Sequence, residues 1–245
     1  MGNYLITGGN SEIGRELIME LDRRGHTVFT TSRSKLKYTA PCAYLDGIDL
    51  TCEDDVLGLF TKVAEVFASP FNVIHSVGDF WYHKTIENTP LDQAAAMISS
   101  HYLTLYAVIR HAVPLMSKVG GGRVLAFTCN SVKYNYPEMA AFTSAKAAVE
   151  CLIKCVANEY SSMGITANAF ALPSIKTDQV LSSKPAELTG NFISMNELAR
   201  SIEDIVEHLP QFANGNVISL FKHSDTFYHK GYYERNIFYN GDAHE

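Results

Sequence analysis

The sequence predicts an α/β protein built on a doubly wound parallel sheet of about seven strands, with helices on both faces. Three observations predict it. Short apolar runs rich in β-branched and aromatic residues alternate with longer stretches of helical period, the pattern of strand–helix–strand crossovers. The first run, Tyr4-Leu5-Ile6, gives way to a glycine-rich break, Thr7-Gly8-Gly9-Asn10-Ser11, and then to a helix opening at Glu12-Ile13-Gly14. No internal repeat, low-complexity tract or linker divides the 245 residues, which predicts one domain over residues 1–226 and a tail over 227–245.

The opening stretch carries the first functional reading. Its helix has apolar positions at Ile13, Leu17, Ile18 and Leu21. A buried strand, a tight turn and a helix N-terminus make an anion cradle, because free backbone N–H groups and the positive end of a helix dipole meet there. Gly8 permits the turn and Gly14 lets the helix lie close to strand and ligand, with Asn10, Ser11 and Ile13 in the same loop. This stretch reads as a site for the phosphates of a dinucleotide.

Thr27–Thr31 is the second strand, entered through Gly25 as a helix C′ residue. Ser32 and Arg33 follow it. Where an NAD site offers a carboxylate to the ribose hydroxyls, a neutral Ser32 and a cationic Arg33 suit a 2′-phosphate, so NADP(H) is expected in preference to NAD(H). Ala43–Leu45 gives a third strand, with Asp49 and Leu50 in the next turn, and Thr51 with Asp54 reads as a capping box for a helix through Phe67. Phe71–Val77 is the fourth strand and leads into Gly78. A long amphipathic helix over Pro90–Val119 is expected to break or bend near Pro114. Arg123–Thr128 is the fifth strand, Ala140–Met163 a helix carrying Lys146, and Ile165–Ala171 the sixth strand. Asn196–Leu209 reads as a helix and Val217–Phe221 as the seventh strand. Phe227, Tyr228, Tyr232, Tyr233, Phe238 and Tyr239 make the tail too aromatic for water, so it is expected to dock on its own domain or on a neighbouring subunit.

Composition excludes several classes. The net charge of −6, without a Lys/Arg run, argues against nucleic-acid or anionic-membrane surfaces, which need a basic footprint. No apolar run reaches membrane-spanning length, and the N-terminus does not read as a signal peptide. Five cysteines with no CxxC read as reduced thiols, which predicts a cytoplasmic protein. Cys151 and Cys155 stand four apart without a matching pair, so core packing is expected rather than a metal site. His83, Trp81 and Tyr82 read as solvated loop residues, with a place lining the cleft mouth as the alternative.

With these motifs placed, the chain resembles the short-chain dehydrogenase/reductase family along nearly its whole length. The family's TGxxxGxG opening is similar to Thr7 through Gly14, with Glu12 in place of the middle glycine. Its Asp after the third strand matches Asp49, beside Leu50, and its Asn-Ala-Gly corresponds to Ser76-Val77-Gly78. The family's Asn…Pro-Gly…Thr segment resembles Asn168 through Thr177, with Pro173 and Ile175 inside it. The resemblance implies a Rossmann-like fold and a nicotinamide cofactor held by these residues and Lys146. It further implies a small-molecule substrate and a homodimer or homotetramer formed through the two long helices.

The same resemblance exposes a departure. The family uses Asn, Ser, Tyr and Lys: Tyr protonates the product oxygen, Lys lowers the Tyr pKa and holds the ribose, Ser orients the carbonyl, and Asn anchors a water relay. Those positions fall on His101, Cys129, Phe142 and Lys146, and only the lysine is retained. A benzene ring fills the space of a phenol and has no proton to give. Glu12 adds a carboxylate near the phosphates, harmless if it points outward and repulsive if it points inward.

Three readings follow. In the first, the protein is a nicotinamide oxidoreductase acting on a carbonyl, an imine or an enone. Its proton then comes from His101, the nearest titratable group, or from Tyr134 or Tyr136 on the loop after the fifth strand. The second reading is a non-redox enzyme, a dehydratase, isomerase or cyclase, that uses Cys129 with His101. In the third, the protein is a silent relative that binds the cofactor without turnover.

Overall fold

A computed structural model of the chain describes residues 1–79, 81, 83–183, 189, 190 and 192–220. The aromatic tail, Phe221 and Tyr82 lie outside the described residues. The strands are β1 (Asn3–Thr7), β2 (Thr27–Thr31), β3 (Ala43–Leu45), β4 (Phe71–His75), β5 (Gly122–Cys129), β6 (Ile165–Leu172) and β7 (Val217–Ser219). They form one seven-stranded sheet in the order β3-β2-β1-β4-β5-β6-β7, every pair parallel. The order reverses between β1 and β4, where Thr7 pairs with His75. The crevice beyond the carboxyl ends of those two strands is where ligands bind in such sheets.

Strand alternation supplies both faces of the core. Tyr4 and Ile6 pack with Val28, Ile74 and Leu125 against α1 (Glu12–Arg23) and α8 (Met195–His208). Leu5, Phe29, Val73 and Val124 pack on the other face with α2 (Glu53–Val66), α4 (Thr104–Lys118) and α6 (Ala140–Tyr160). Each such apolar side chain contributes about 1.5–3 kcal/mol on burial, and the period of two fixes the register. Gly25 takes φ +80° just past α1, as expected of a C′ residue, and Ser194 with Glu197 forms a full capping box on α8.

Three expectations are corrected. Thr51 does not cap α2: its N–H and hydroxyl both donate to the Asp49 carboxylate in a turn, and the helix starts one residue after Cys52. β4 ends at His75, two residues short of Val77. The long helix over 90–119 does not break at Pro114, which sits inside a continuous α4. It is interrupted earlier, by a π turn over Ser99–Leu103 between α3 (Leu91–Ile98) and α4. The Thr104 hydroxyl donates to the Ser100 carbonyl oxygen at 2.7 Å, a side-chain bond that competes with the helical ladder at that turn. The π turn carries His101 into the crevice.

Candidate active site

The cradle forms as its spacing predicts. Gly8 adopts φ +84°, and the N–H groups of Gly8 and Gly9 both donate to the Thr31 carbonyl oxygen, which ties the turn to β2. A Cβ on Gly14 would collide with the Gly8 carbonyl oxygen, so only glycine lets α1 approach this closely. Ser11 caps α1 by accepting from the Gly14 N–H at 2.9 Å. Ser76 donates to the Thr7 carbonyl oxygen at 2.7 Å, so the 3.1 Å contact between the two hydroxyls has Ser11 donating to Ser76. The backbone N–H groups of Asn10, Glu12 and Ile13 have no acceptor among the described residues, and all three residues line the cleft. That is the pattern a pyrophosphate completes.

Asn10 does more than line the loop. Its amide donates to the Ser34 and Lys35 carbonyl oxygens and accepts from the Lys37 N–H, which pins the segment after β2. Ser32 is buried, with its hydroxyl on the Ser34 carbonyl oxygen, while Arg33 stands exposed beside it. Asp49 holds the Thr51 N–H and hydroxyl, which with the nearby Arg33 charge keep its carboxyl below the usual range. Leu50 turns its side chain into the core, so any contact it makes with a ligand is through backbone.

The cleft itself has a volume of about 650 Å³. Its walls are the glycine turn, Ser76-Val77-Gly78 after β4, the end of β5, α6, and the segment from Leu172 through Val180, with Pro173, Ile175 and Thr177 facing it. His101, Cys129, Tyr136, Phe142 and Lys146 line it together. Tyr134 does not; it is exposed, stacked on Tyr136 at 5.8 Å with Lys133 over its ring. Trp81, expected in a solvated loop, is instead buried, with its indole N–H on the Glu138 carbonyl oxygen at 2.6 Å. Cys151 and Cys155 are exposed on α6 and not core residues, and no cluster that could hold a metal occurs among the described residues.

Lys146 is buried and donates from Nζ to the Phe127 carbonyl oxygen at 2.8 Å, leaving two N–H groups for a ligand. Burial pulls its pKa down to about 8. Cys129 accepts at Sγ from the N–H of Ser131, the first residue of the short α5 (Ser131–Tyr134), at 3.4 Å. His101 lies edge-on to Phe142, ring centres 5.3 Å apart. Its Nε2–H donates to the Asp79 carbonyl oxygen at 3.1 Å, which leaves Nδ1 as a bare acceptor. A Cβ on Gly78 would overlap that edge of the ring, so Nδ1 is shielded by the Gly78 backbone. Burial, reinforced by the Lys146 charge, lowers the His101 pKa to about 2. His101 is thereby held as a neutral imidazole with its one N–H on Asp79. Tyr136 has its phenol pKa raised by burial.

Sequence reasoning missed three features here. His75 is buried in β4, accepts from the Thr7 hydroxyl at Nδ1 (2.8 Å) and donates from Nε2 to Thr104 (3.2 Å). It thereby links the glycine turn to the π turn. The amide of Asn130 is buried at the cleft wall without a partner among the described residues. Glu12 sends its carboxylate to the Asp178 N–H. A histidine inside an apolar strand and an acid in the glycine turn were the advance signals among the three.

Comparison with known proteins agrees with this architecture. The family model described as short chain dehydrogenase matches residues 3–187. A 3beta-hydroxysteroid dehydrogenase from Mediterraneibacter gnavus is 28% identical over 174 residues, covering 67% of this chain and 63% of that protein. The chain thus spans under two thirds of that relative's length. An NADPH-dependent aldehyde reductase-like protein, chloroplastic, from Arabidopsis thaliana is 22% identical over 217 residues, 80% of each chain. Among solved structures, ElxO with NADP bound superposes with a TM-score of 0.80 at 23% identity, over 89% of this chain and 96% of that one. With the glycine turn, the parallel sheet and the match over residues 3–187 in agreement, the chain belongs to the short chain dehydrogenase family.

Proposed function

We propose that the protein is an NADP(H)-dependent oxidoreductase that acts on a small or medium organic substrate, a carbonyl, an imine or a conjugated enone, without a tyrosine as acid. The observation that carries this reading is an intact cradle and a retained Lys146 around Phe142. The unpaired N–H groups of Asn10, Glu12 and Ile13 fit a pyrophosphate, and the two spare N–H groups of Lys146 fit ribose hydroxyls. Relatives named as NADPH-dependent and the exposed Arg33 support the phosphorylated cofactor. When bound, that cofactor supplies the hydride.

The chain's own residues supply the rest. Phe142 and Trp81 give the cleft an apolar wall that excludes water, and Cys129 offers only a weak donor to a substrate oxygen. Lys146, with a pKa of about 8, and the Tyr136 phenol, raised by burial, both line the cleft and hold a proton at neutral pH. An imine or an enone makes less demand on an acid than a simple ketone, which favours them as substrates. The locked His101 weakens the alternative of thiol–imidazole chemistry with Cys129. Ile98, Leu103 and Tyr106, exposed on the α3–α4 stretch, support a homodimer or homotetramer, and the cytoplasm is the compartment proposed with it.

Calorimetry with NADP⁺ and NAD⁺ tests the cofactor. Absorbance at the reduced-nicotinamide band, followed across ketones, cyclic imines and enones, tests the reaction. Cofactor binding without turnover across the whole panel would favour a silent binding protein, for which Phe142 is the supporting feature.

A further inference from the structure

The glycine turn and the segment after β6 form opposite lips of the cleft, and one side chain crosses between them. Glu12 opens α1, and its carboxylate accepts the Asp178 backbone N–H with both oxygens, at 3.1 and 3.0 Å. Asp178 is the first residue of α7 (Asp178–Ser183), where backbone N–H groups lack partners inside the helix. Thr177 meets the same need for Val180, accepting its N–H at Oγ1 at 3.1 Å. Glu12 and Thr177 thus hold the first turn of α7 in place, one from across the cleft and one from its own strand of chain. Glu12, Ile13, Ile175, Thr177 and Val180 all line the cleft, so the bridge spans the opening above the unpaired N–H groups of the cradle.

We propose that Glu12 is a positioning residue that latches the cofactor cleft, tying the glycine turn to α7 and so setting the rate at which NADP(H) enters and leaves. The inference rests on the reading that this cleft holds a nicotinamide dinucleotide. The bond joins the two lips of the cleft, so uptake and release both wait for it to open. A carboxylate that accepts a backbone N–H with both oxygens has its charge partly balanced there, which eases its repulsion of a phosphate in the glycine turn.

A latch has a kinetic signature that a structural or a purely repulsive residue lacks. Stopped-flow fluorescence of NADPH with Glu12→Ala should show association and dissociation rate constants both raised about five- to tenfold, the worth of one charge-assisted hydrogen bond partly replaced by water, with Kd changed less than about threefold. Glu12→Gln keeps an oxygen acceptor and should stay near the wild-type rates. Unchanged rates in Glu12→Ala overturn the proposal. So does a Kd shift carried by one rate constant alone, which would mark the carboxylate as a simple repulsive charge or its loss as damage to the fold. Hydrogen exchange at the Asp178 amide, measured in the free protein, reads the tie without any cofactor: it should quicken in Glu12→Ala and be restored in Glu12→Gln. If NADPH does not bind the wild type, the cofactor reading falls; unaltered exchange in Glu12→Ala, by contrast, overturns the tie itself.

Discussion

The Nζ of Lys146 stands 5.6 Å from the centre of the Phe142 ring. Two effects oppose each other there. The ring face attracts the ammonium, by about 0.5–2 kcal/mol in typical cases, while removal from water penalises its charge. Burial wins, since the pKa falls from 10.5 to about 8. The unfolded chain therefore binds a proton between about pH 8 and 10.5 that the folded chain releases, and the contribution of Lys146 to stability should rise with pH across that window. The shift corresponds to an effect on the order of 3 kcal/mol. Lys146→Met should abolish this rise in denaturant-melting experiments, and should weaken NADP⁺ binding at least about tenfold by calorimetry through loss of a charged ribose contact. A pH-independent difference between wild type and variant would contradict the buried-lysine account.

Phe142→Tyr adds a hydroxyl on the same helix face, one turn before Lys146. General acid catalysis is worth about 10²–10⁴-fold, so NADPH-dependent reduction of simple ketones should rise by about 10²-fold or more. The ring already sits edge-on to His101, so the extra oxygen is expected to change Tm little. A variant that folds, binds NADPH and gains nothing would place the substrate carbonyl away from position 142.

His101 and His75 are buried neutral, with pKa values lowered by burial to about 2 and about 3. Below about pH 6.5 the unfolded chain takes up protons at both, and the folded chain does so only near pH 2–3, so stability should fall with acid across that span. His101→Asn should flatten the acid slope of stability by about one proton while leaving NADP⁺ affinity and any turnover within about threefold, because the imidazole has no proton to give. Loss of turnover with intact cofactor binding would restore His101 as the acid.

Gly78 and His101 are packed against each other so closely that a methyl group at 78 overlaps the ring. Gly78→Ala should cost about 1–3 kcal/mol in urea unfolding, the usual range for overpacking. His101→Ala in the same chain should recover part of it, since contacting sites are not additive. Full additivity would mean that the clash relaxes into the cleft and not against the ring.

Most of the sheet was legible because its signals are local. Alternation puts Tyr4 and Ile6 on one face and Leu5 on the other, and Gly8 and Gly14 sit where backbone geometry leaves no other choice. What stayed hidden depends on partners distant in sequence. The interruption of the long helix falls where Thr104 bonds back to Ser100 and meets His75 of β4, and not at Pro114, which sits inside a continuous α4. The neutral state of His101 is set by burial and by the Lys146 charge, and its tautomer by the Asp79 carbonyl oxygen, all tertiary outcomes that no local signal carries. Glu12 could be placed at the phosphate turn but not aimed, because its acceptor role requires the backbone N–H of a residue 166 positions away.

The choice between the two nicotinamide cofactors turns on the segment after β2. Ser32 spends its hydroxyl on the Ser34 carbonyl oxygen, and Asn10 holds residues 34–37 from the glycine turn, so the backbone around Arg33 is fixed while its guanidinium is exposed. No other side chain at the end of β2 carries a positive charge ahead of Lys35. Arg33→Asp exchanges an attractive charge for a repulsive one at the expected 2′-phosphate. The affinity for NADP⁺ should drop about ten- to a hundredfold at low salt, and the difference between the cofactors should shrink as ionic strength rises. NAD⁺, with free hydroxyls, should hold its affinity or gain from the new acceptor. Calorimetry at two salt concentrations decides it: equal losses for both cofactors would mean that Arg33 shapes the loop and does not read the phosphate.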